Sequence, residues 1–147
     1  MVSLLDVNVL VALAWPNHEH HELAVEWLEE NQEAGWATCP LTQSGFVRVS
    51  SNTRAIPGAK PPRRTISLLR EIVSLPCHVF FPDDVSLVSS EFVTFRKVMG
   101  YRQVTDAHVL GIALRHGARL VTFDRSILGL VPSRYAAGEA VCLLTKE

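Results

Sequence analysis

Short apolar runs alternate along the chain with longer stretches whose apolar residues recur every three or four positions. Residues 2–7 (VSLLDV) are a run of the first kind, closed by a carboxylate, and predict a buried strand. Residues 8–15 predict a short helix, broken at Pro16-Asn17. Over 20–30, Leu23, Ala24, Trp27 and Leu28 make one stripe opposite a row of glutamates, and Gly35 ends the unit. A short strand is predicted over 36–39. Pro40 suits the first position of a helix over 41–50, with Leu41, Phe46 and Val49 facing inward. Asn52, Pro57, Gly58, Pro61 and Pro62 make 51–62 a mobile loop. A helix over 64–73 carries Leu68, Leu69 and Ile72 on one face, and CHVFF (77–81) predicts a buried strand. Asp83 or Asp84 is expected to cap a helix over 85–98, ended by Gly100. Residues 104–116 predict an unusually apolar helix (Ala107, Val109, Leu110, Ile112, Ala113, Leu114), with Thr105 and Asp106 in its first turn and Gly117 as its stop. RLVT (119–122) and residues 140–144 supply the last strands.

Helices alternating with non-alternating apolar strands predict an α/β fold of three layers, with a mostly parallel sheet covered on both faces. At 147 residues the chain is expected to form a single domain over 1–147. With 48% hydrophobic and 20% charged residues, collagen-like, coiled-coil and disordered classes fit poorly. No apolar run approaches the ~20 residues that span a bilayer. The first fifteen residues lack a basic start and are interrupted by Asp6 and Asn8, so the chain is expected in the cytoplasm, without a membrane partner. Cys39, Cys77 and Cys142 are far apart and without Cys-x-x-Cys spacing, which reads as core or near-core thiols in a reducing compartment. Trp15, Trp27 and Trp36 read as core or interface anchors, with Trp15, beside Pro16, placed for partial exposure to a partner helix. No GxGxxG, GxxxxGK[ST] or Gly-x-Ser-x-Gly segment occurs, so nucleotide-loop and serine-hydrolase readings lack local support.

The formal charge is only -1, but it is unevenly placed. Seven acids and no Lys or Arg precede Arg48, whereas 14 basic and 8 acidic residues lie from there on. Two readings stand: a nucleic-acid face on the later part of the chain, or solvated helix faces. A protein that coats nucleic acid would need a larger basic excess, whereas a nuclease that places one phosphate does not.

The main chemical signal is carboxylates at strand ends. Asp6 and Asp124 each close a predicted strand, and Asp106 opens the apolar helix, so all three can meet at the C-terminal edge of the sheet. Two unit charges 4 Å apart repel by about 4 kcal/mol at an effective dielectric near 20. Such a cluster either raises some of its pKa values or binds a hard divalent ion, Mg²⁺ or Mn²⁺ rather than zinc. Spacing alone leaves the alternative open that Asp6 and Asp106 are helix caps and Asp124 a turn residue.

Three separated blocks, LLDVNVLVALAWPNHEHH (4–21), ATCPLTQSGFVRVSSN (37–52) and TDAHVLGIALRHGARLVTFD (105–124), together resemble the PIN-domain family, and more narrowly the VapC toxins of bacterial toxin–antitoxin pairs. The resemblance spans nearly the whole chain. It implies an α/β/α sandwich on a central parallel sheet of four or five strands, and a nuclease that uses Mg²⁺ or Mn²⁺ held by acidic residues to cleave a tRNA or a ribosomal RNA loop. It carries the family's acids onto Asp6, Asp106 and Asp124, a small polar position onto Asn8, and a holder of ligand waters onto Thr122, with Thr105 beside Asp106 in support. It further implies a homodimer and a VapB antitoxin whose C-terminal segment lies over the active groove.

One position departs from the pattern: where many PIN nucleases carry a glutamate, this chain has Gln43. An amide oxygen is still a hard ligand but brings no charge, so a weaker or water-bridged site is expected. A catalytically silent PIN-like module that binds RNA or protein is the alternative. Arg48, Arg96, Lys97, Arg102 and Arg125 are candidates for RNA phosphate contacts or plain solvated cations. His18, His20 and His21 read as a polar helix entry rather than as ligands.

Overall fold

The computed structural model describes residues 1–88 and 91–146. Strand β1 (Ser3–Leu5) runs into helix α1 (Val7–Ala14), and α2 (His21–Asn31) follows the Pro16 break. Then come β2 (Trp36–Thr38), α3 (Pro40–Ser50), α4 (Pro62–Val73) and β3 (His78–Phe80). Helix α5 (Val104–Arg115), β4 (Arg119–Thr122), a short α6 (Ala137–Ala140) and β5 (Val141–Leu143) complete the order. The five strands form one all-parallel sheet in the order β3-β2-β1-β4-β5. No helix among the described residues is long and apolar enough to cross a membrane.

Strand period two sorts the core into two halves. Leu4, Ala37 and Leu120 face a cluster built on α5 with Leu110, Ile112 and Ile127. Leu5, Trp36 and Val121 face the opposite cluster with Leu10, Phe46 and Leu69. The register pairs Leu4 with Ala37 and Leu5 with Val121, so both layers are continuous across the sheet. Helix α1 approaches α3 so closely that a Cβ on Gly45 would lie 2.5 Å from Val7 Cγ2, which explains a glycine inside a helix. Pro40 is the first residue of α3, and a capping box closes the turn, with the Cys39 N–H donating to Thr42 Oγ1 at 3.0 Å.

Several expectations are corrected. The helix over 85–98 is not formed: its described residues are irregular apart from a 3₁₀ turn at Phe95–Lys97, and Ser89 and Ser90 lie outside the described residues. The stretch is rich in β-branched residues and serine, which favour helix weakly. Its two acids are not caps. Asp83 bonds His108 at 2.8 Å, and Asp84 pairs with Arg115 at the end of α5 and with His116 just beyond it. Val85 and Val93 are buried instead against α5, where a Cβ on Gly111 would meet Val93 Cγ2 at 2.8 Å.

The strand at 77–81 is an edge strand of the sheet with Val79 and Phe80 half exposed, and Cys77 is exposed at φ 69° rather than near the core. Trp15 is buried, since its indole N–H finds Ser50 Oγ at 3.0 Å inside the fold. Within the largely exposed 51–62 segment, Ile56 is buried against the core, and Asn52 O accepts the N–H groups of Ala55 and Ile56.

Candidate active site

Strand β1 is three buried residues long, and the chain turns into α1 directly after it. Asp6 is that turn. Its carboxylate Oδ1 accepts the Val7 N–H at 2.8 Å, which caps the helix, and its backbone N–H donates to Val121 O at 2.9 Å. Oδ2 accepts the Thr122 hydroxyl at 2.7 Å. Thr122 ends β4, fully buried, and its hydroxyl also accepts from Asn8 Nδ2 at 3.2 Å and from the Asp124 N–H at 3.0 Å. One donor and two acceptor positions are thus all used within the protein. Asn8 returns the contact by accepting the Phe123 N–H at 3.3 Å. Asp124 caps the 3₁₀ turn at Arg125–Leu130, its Oδ1 accepting from Ser126 N at 2.9 Å and Ser126 Oγ at 2.7 Å.

The third carboxylate arrives from the other side of the sheet edge. Asp106 lies in the first turn of α5, whose body from Ala107 to Leu114 is buried apart from His108. Burial is the main cause that pushes the Asp106 pKa up to about 6, followed by the charges of Asp6 and Asp124. Burial likewise raises Asp6, against the lowering hydrogen bonds from Thr122 and Val7, and Asp124 adds to the rise. Asp106 therefore senses the charges of both other acids, and Asp6 that of Asp124.

They line one cleft of about 350 Å³, together with Val7, Asn8, Val11, His18, Val49, Ala55 and Ile56. The acids Asp6, Asp106 and Asp124 and the supporting Asn8 are thus brought together, and Thr122 lies directly behind them. Thr105 is exposed beside Asp106. Gln43 is not among the lining residues. Its amide nitrogen donates to Thr38 Oγ1 at 3.0 Å, and Thr38 is bonded in turn to His78 Nε2 at 2.8 Å. The basic candidates are scattered. Arg48, Arg96 and Arg125 are exposed, Arg102 packs on Tyr101 with its guanidinium carbon 5.6 Å from the ring centroid, and Lys97 Nζ donates to Val131 O at 2.6 Å.

Sequence reasoning missed Ser126 and the aliphatic wall of the cleft, and it placed His18 in a polar helix entry rather than in the cleft. Ser126 follows Asp124 by two residues, the ordinary spacing of a side-chain turn, and was there to be read. His18 carries no such signal, since only the folding back of the α1–α2 turn brings it to the cleft that the acids line. Its pKa is lowered, first by burial and then by His20.

The PIN domain family's sequence profile matches residues 3–129. Ribonuclease VapC38 of Mycobacterium tuberculosis (strain ATCC 25618 / H37Rv) is 49% identical over 136 residues, which cover 90% of this chain and 92% of that protein. Ribonuclease VapC39 of Mycobacterium tuberculosis (strain CDC 1551 / Oshkosh) is 45% identical over 127 residues, covering 86% and 91% respectively. The crystal structure of VapBC2 from Rickettsia felis, bound to a DNA fragment from their promoter, contains a chain that matches with a TM-score of 0.57 at 16% identity, over 89% of this chain and 96% of that one.

Proposed function

The chain belongs to the PIN-domain family, in its VapC branch, and on that premise we propose that it is an endoribonuclease hydrolysing a structured cellular RNA, such as tRNA or rRNA, as the growth-inhibiting toxin of a pair. The observation that carries this reading is the convergence of Asp6, Asp106 and Asp124 on one cleft at the C-terminal edge of a parallel sheet. An all-carboxylate donor set suits Mg²⁺ or Mn²⁺. Among the described residues no three His, Cys, Asp or Glu side chains are grouped so as to hold an ion as they stand. The raised proton affinity of Asp6 and Asp106 is what mutual repulsion and burial produce before a cation neutralises them.

Asp6, Asp106 and Asp124 would hold the ion, which when bound supplies a Lewis acid for the phosphodiester and lowers the pKa of the attacking water. The chain's own residues prepare that site. Thr122 fixes Asp6 and the backbone of Asp124, Asn8 ties the first turn of α1 to Phe123, and Ser126 holds Asp124 by one oxygen only. A VapB-type antitoxin is the proposed partner, supported by the VapC relatives and by the solved VapBC complex, and a second copy of the chain is proposed on the family resemblance alone. The competing reading, a silent RNA- or protein-binding module, draws on Gln43, whose amide donates to Thr38.

Total RNA incubated with the purified chain and Mg²⁺ or Mn²⁺ is expected to yield fragments with 5′-phosphate and 3′-hydroxyl ends. EDTA should stop the reaction, and Asp6→Asn should slow it by more than about 100-fold, since even outer-shell changes cost 10–100-fold. A 2′,3′-cyclic phosphate would overturn attack by water, and a wild-type chain that binds RNA without cutting it would leave the silent module.

A further inference from the structure

Beyond the three carboxylates and Asn8, the cleft is lined by side chains with no role in the acids' chemistry. This arm of the lining consists of Val7 and Val11 on α1, Val49 on α3, Ala55 and Ile56, and His18 in the turn before α2. This turn is braced. The His18 backbone N–H donates to Trp15 O at 2.9 Å, the Trp15 indole is bonded to Ser50 at the end of α3, and His21 Nδ1 donates to Ala12 O at 2.7 Å. The His18 ring is itself fixed, its Nδ1 accepting the His20 N–H at 3.0 Å. A neutral ring held this way carries its proton on Nε2, which leaves one N–H donor.

No Lys or Arg lines the cleft among the described residues, so this arm offers a phosphate no cation of the chain's own. An aliphatic wall beside a single donor fits another part of a nucleotide: the face and the edge of an unstacked base. Resting on the ribonuclease reading, we infer that this arm is a nucleobase subsite. It takes one splayed base next to the scissile phosphate, seated against Val49 and Ala55 over the buried Val11 and Ile56, with an acceptor on its edge bonded by His18 Nε2–H. His18 then determines which nucleotide flanks the cut.

The experiment separates this from a merely structural histidine. His18→Asn keeps an acceptor for the His20 N–H but removes the Nε2 donor, and His18→Gln keeps a donor at similar reach. Binding of short single-stranded U, C, A and G homopolymers to the Asp124→Asn protein is measured by fluorescence anisotropy, with and without each change. His18→Asn is expected to weaken the preferred homopolymer about tenfold, the cost of one hydrogen bond, to leave the others unchanged, and to be largely rescued by His18→Gln. In the otherwise wild-type protein the same substitution should relax base preference beside the cut, with the loss in KM rather than kcat. Equal affinities and an unchanged preference overturn the subsite, as does unchanged RNA binding with a weakened hold on an antitoxin. A wild-type chain that cuts no RNA, but whose binding still falls with His18→Asn, overturns the ribonuclease reading and leaves the subsite standing.

Discussion

Asp6 and Asp106 face the same cleft from two differently built regions. On the sheet side, Asp6, Asn8, Thr122 and Asp124 are joined by a network in which the bonds of Thr122 to Asp6 and Asn8, and of Asn8 to Phe123, link residues more than a hundred positions apart in sequence. On the other side, Asp106 follows the irregular stretch in which Phe95, Met99 and Tyr101 are largely exposed, and α5 is positioned by the packing of its apolar body. Two hydrogen bonds oppose the rise in the Asp6 pKa, whereas burial and the two neighbouring charges act together on Asp106. One carboxylate is thus oriented before any ligand arrives, and the other is placed by its helix and left sensitive to charge.

The sheet side breaks most severely at Thr122. Thr122→Val strands Asp6 Oδ2, Asn8 Nδ2 and the Asp124 N–H, so urea unfolding should show a loss of about 3 kcal/mol, and kcat/KM should fall about 10–100-fold. A variant with wild-type activity would show that the network does not orient the acids.

The helix side is probed by pH. Because folding raises the Asp106 pKa from 3.8 to about 6, its protonated form is favoured in the fold. That contribution is complete below about pH 4 and lost as pH rises through about 6. The Tm of the metal-free chain should decline across this window, Asp106→Asn should flatten the decline, and added Mn²⁺ should raise Tm more at pH 7 than at pH 5. A decline of the same slope in Asp106→Asn would assign it elsewhere.

Smaller effects sharpen the contrast. Gln43→Glu adds a charge at the first turn of α3 and is expected to tighten Mn²⁺ binding by less than about tenfold in calorimetric titration, since one more carboxylate raises ligand charge. Unchanged affinity would put position 43 beyond the ion's influence. Lys97→Ala should cost about 1 kcal/mol of stability through the lost bond to Val131 and leave the salt slope of RNA binding alone. Arg125→Ala should do the reverse, with stability changed by less than about 0.5 kcal/mol and the slope reduced by about one.

Most elements were readable from their own residues. Asp6 and Asp124 at strand ends, Pro40 at a helix start, and the apolar run from Ala107 to Leu114 each state a local preference that burial then satisfies. The stretch after Asp83 was misread because an acid before an apolar segment resembles a capped helix. In the fold, Asp83 and Asp84 serve His108, His116 and Arg115, which lie more than twenty positions further along. The same limit applies to Trp15, whose place depends on Ser50.

By itself, then, the order of residues determined the layered α/β architecture and the three acids of the candidate site. Periodicity and strand-end chemistry are properties of near neighbours, and a parallel sheet must turn its strand ends to one edge. Only the tertiary structure decided that Thr122 would join Asp6, Asn8 and Asp124, that Gln43 would give its amide to Thr38, and that His18 would stand in the cleft. Those pairings depend on which crossovers lie beside one another and how closely the helices pack, and no window of adjacent residues contains that information.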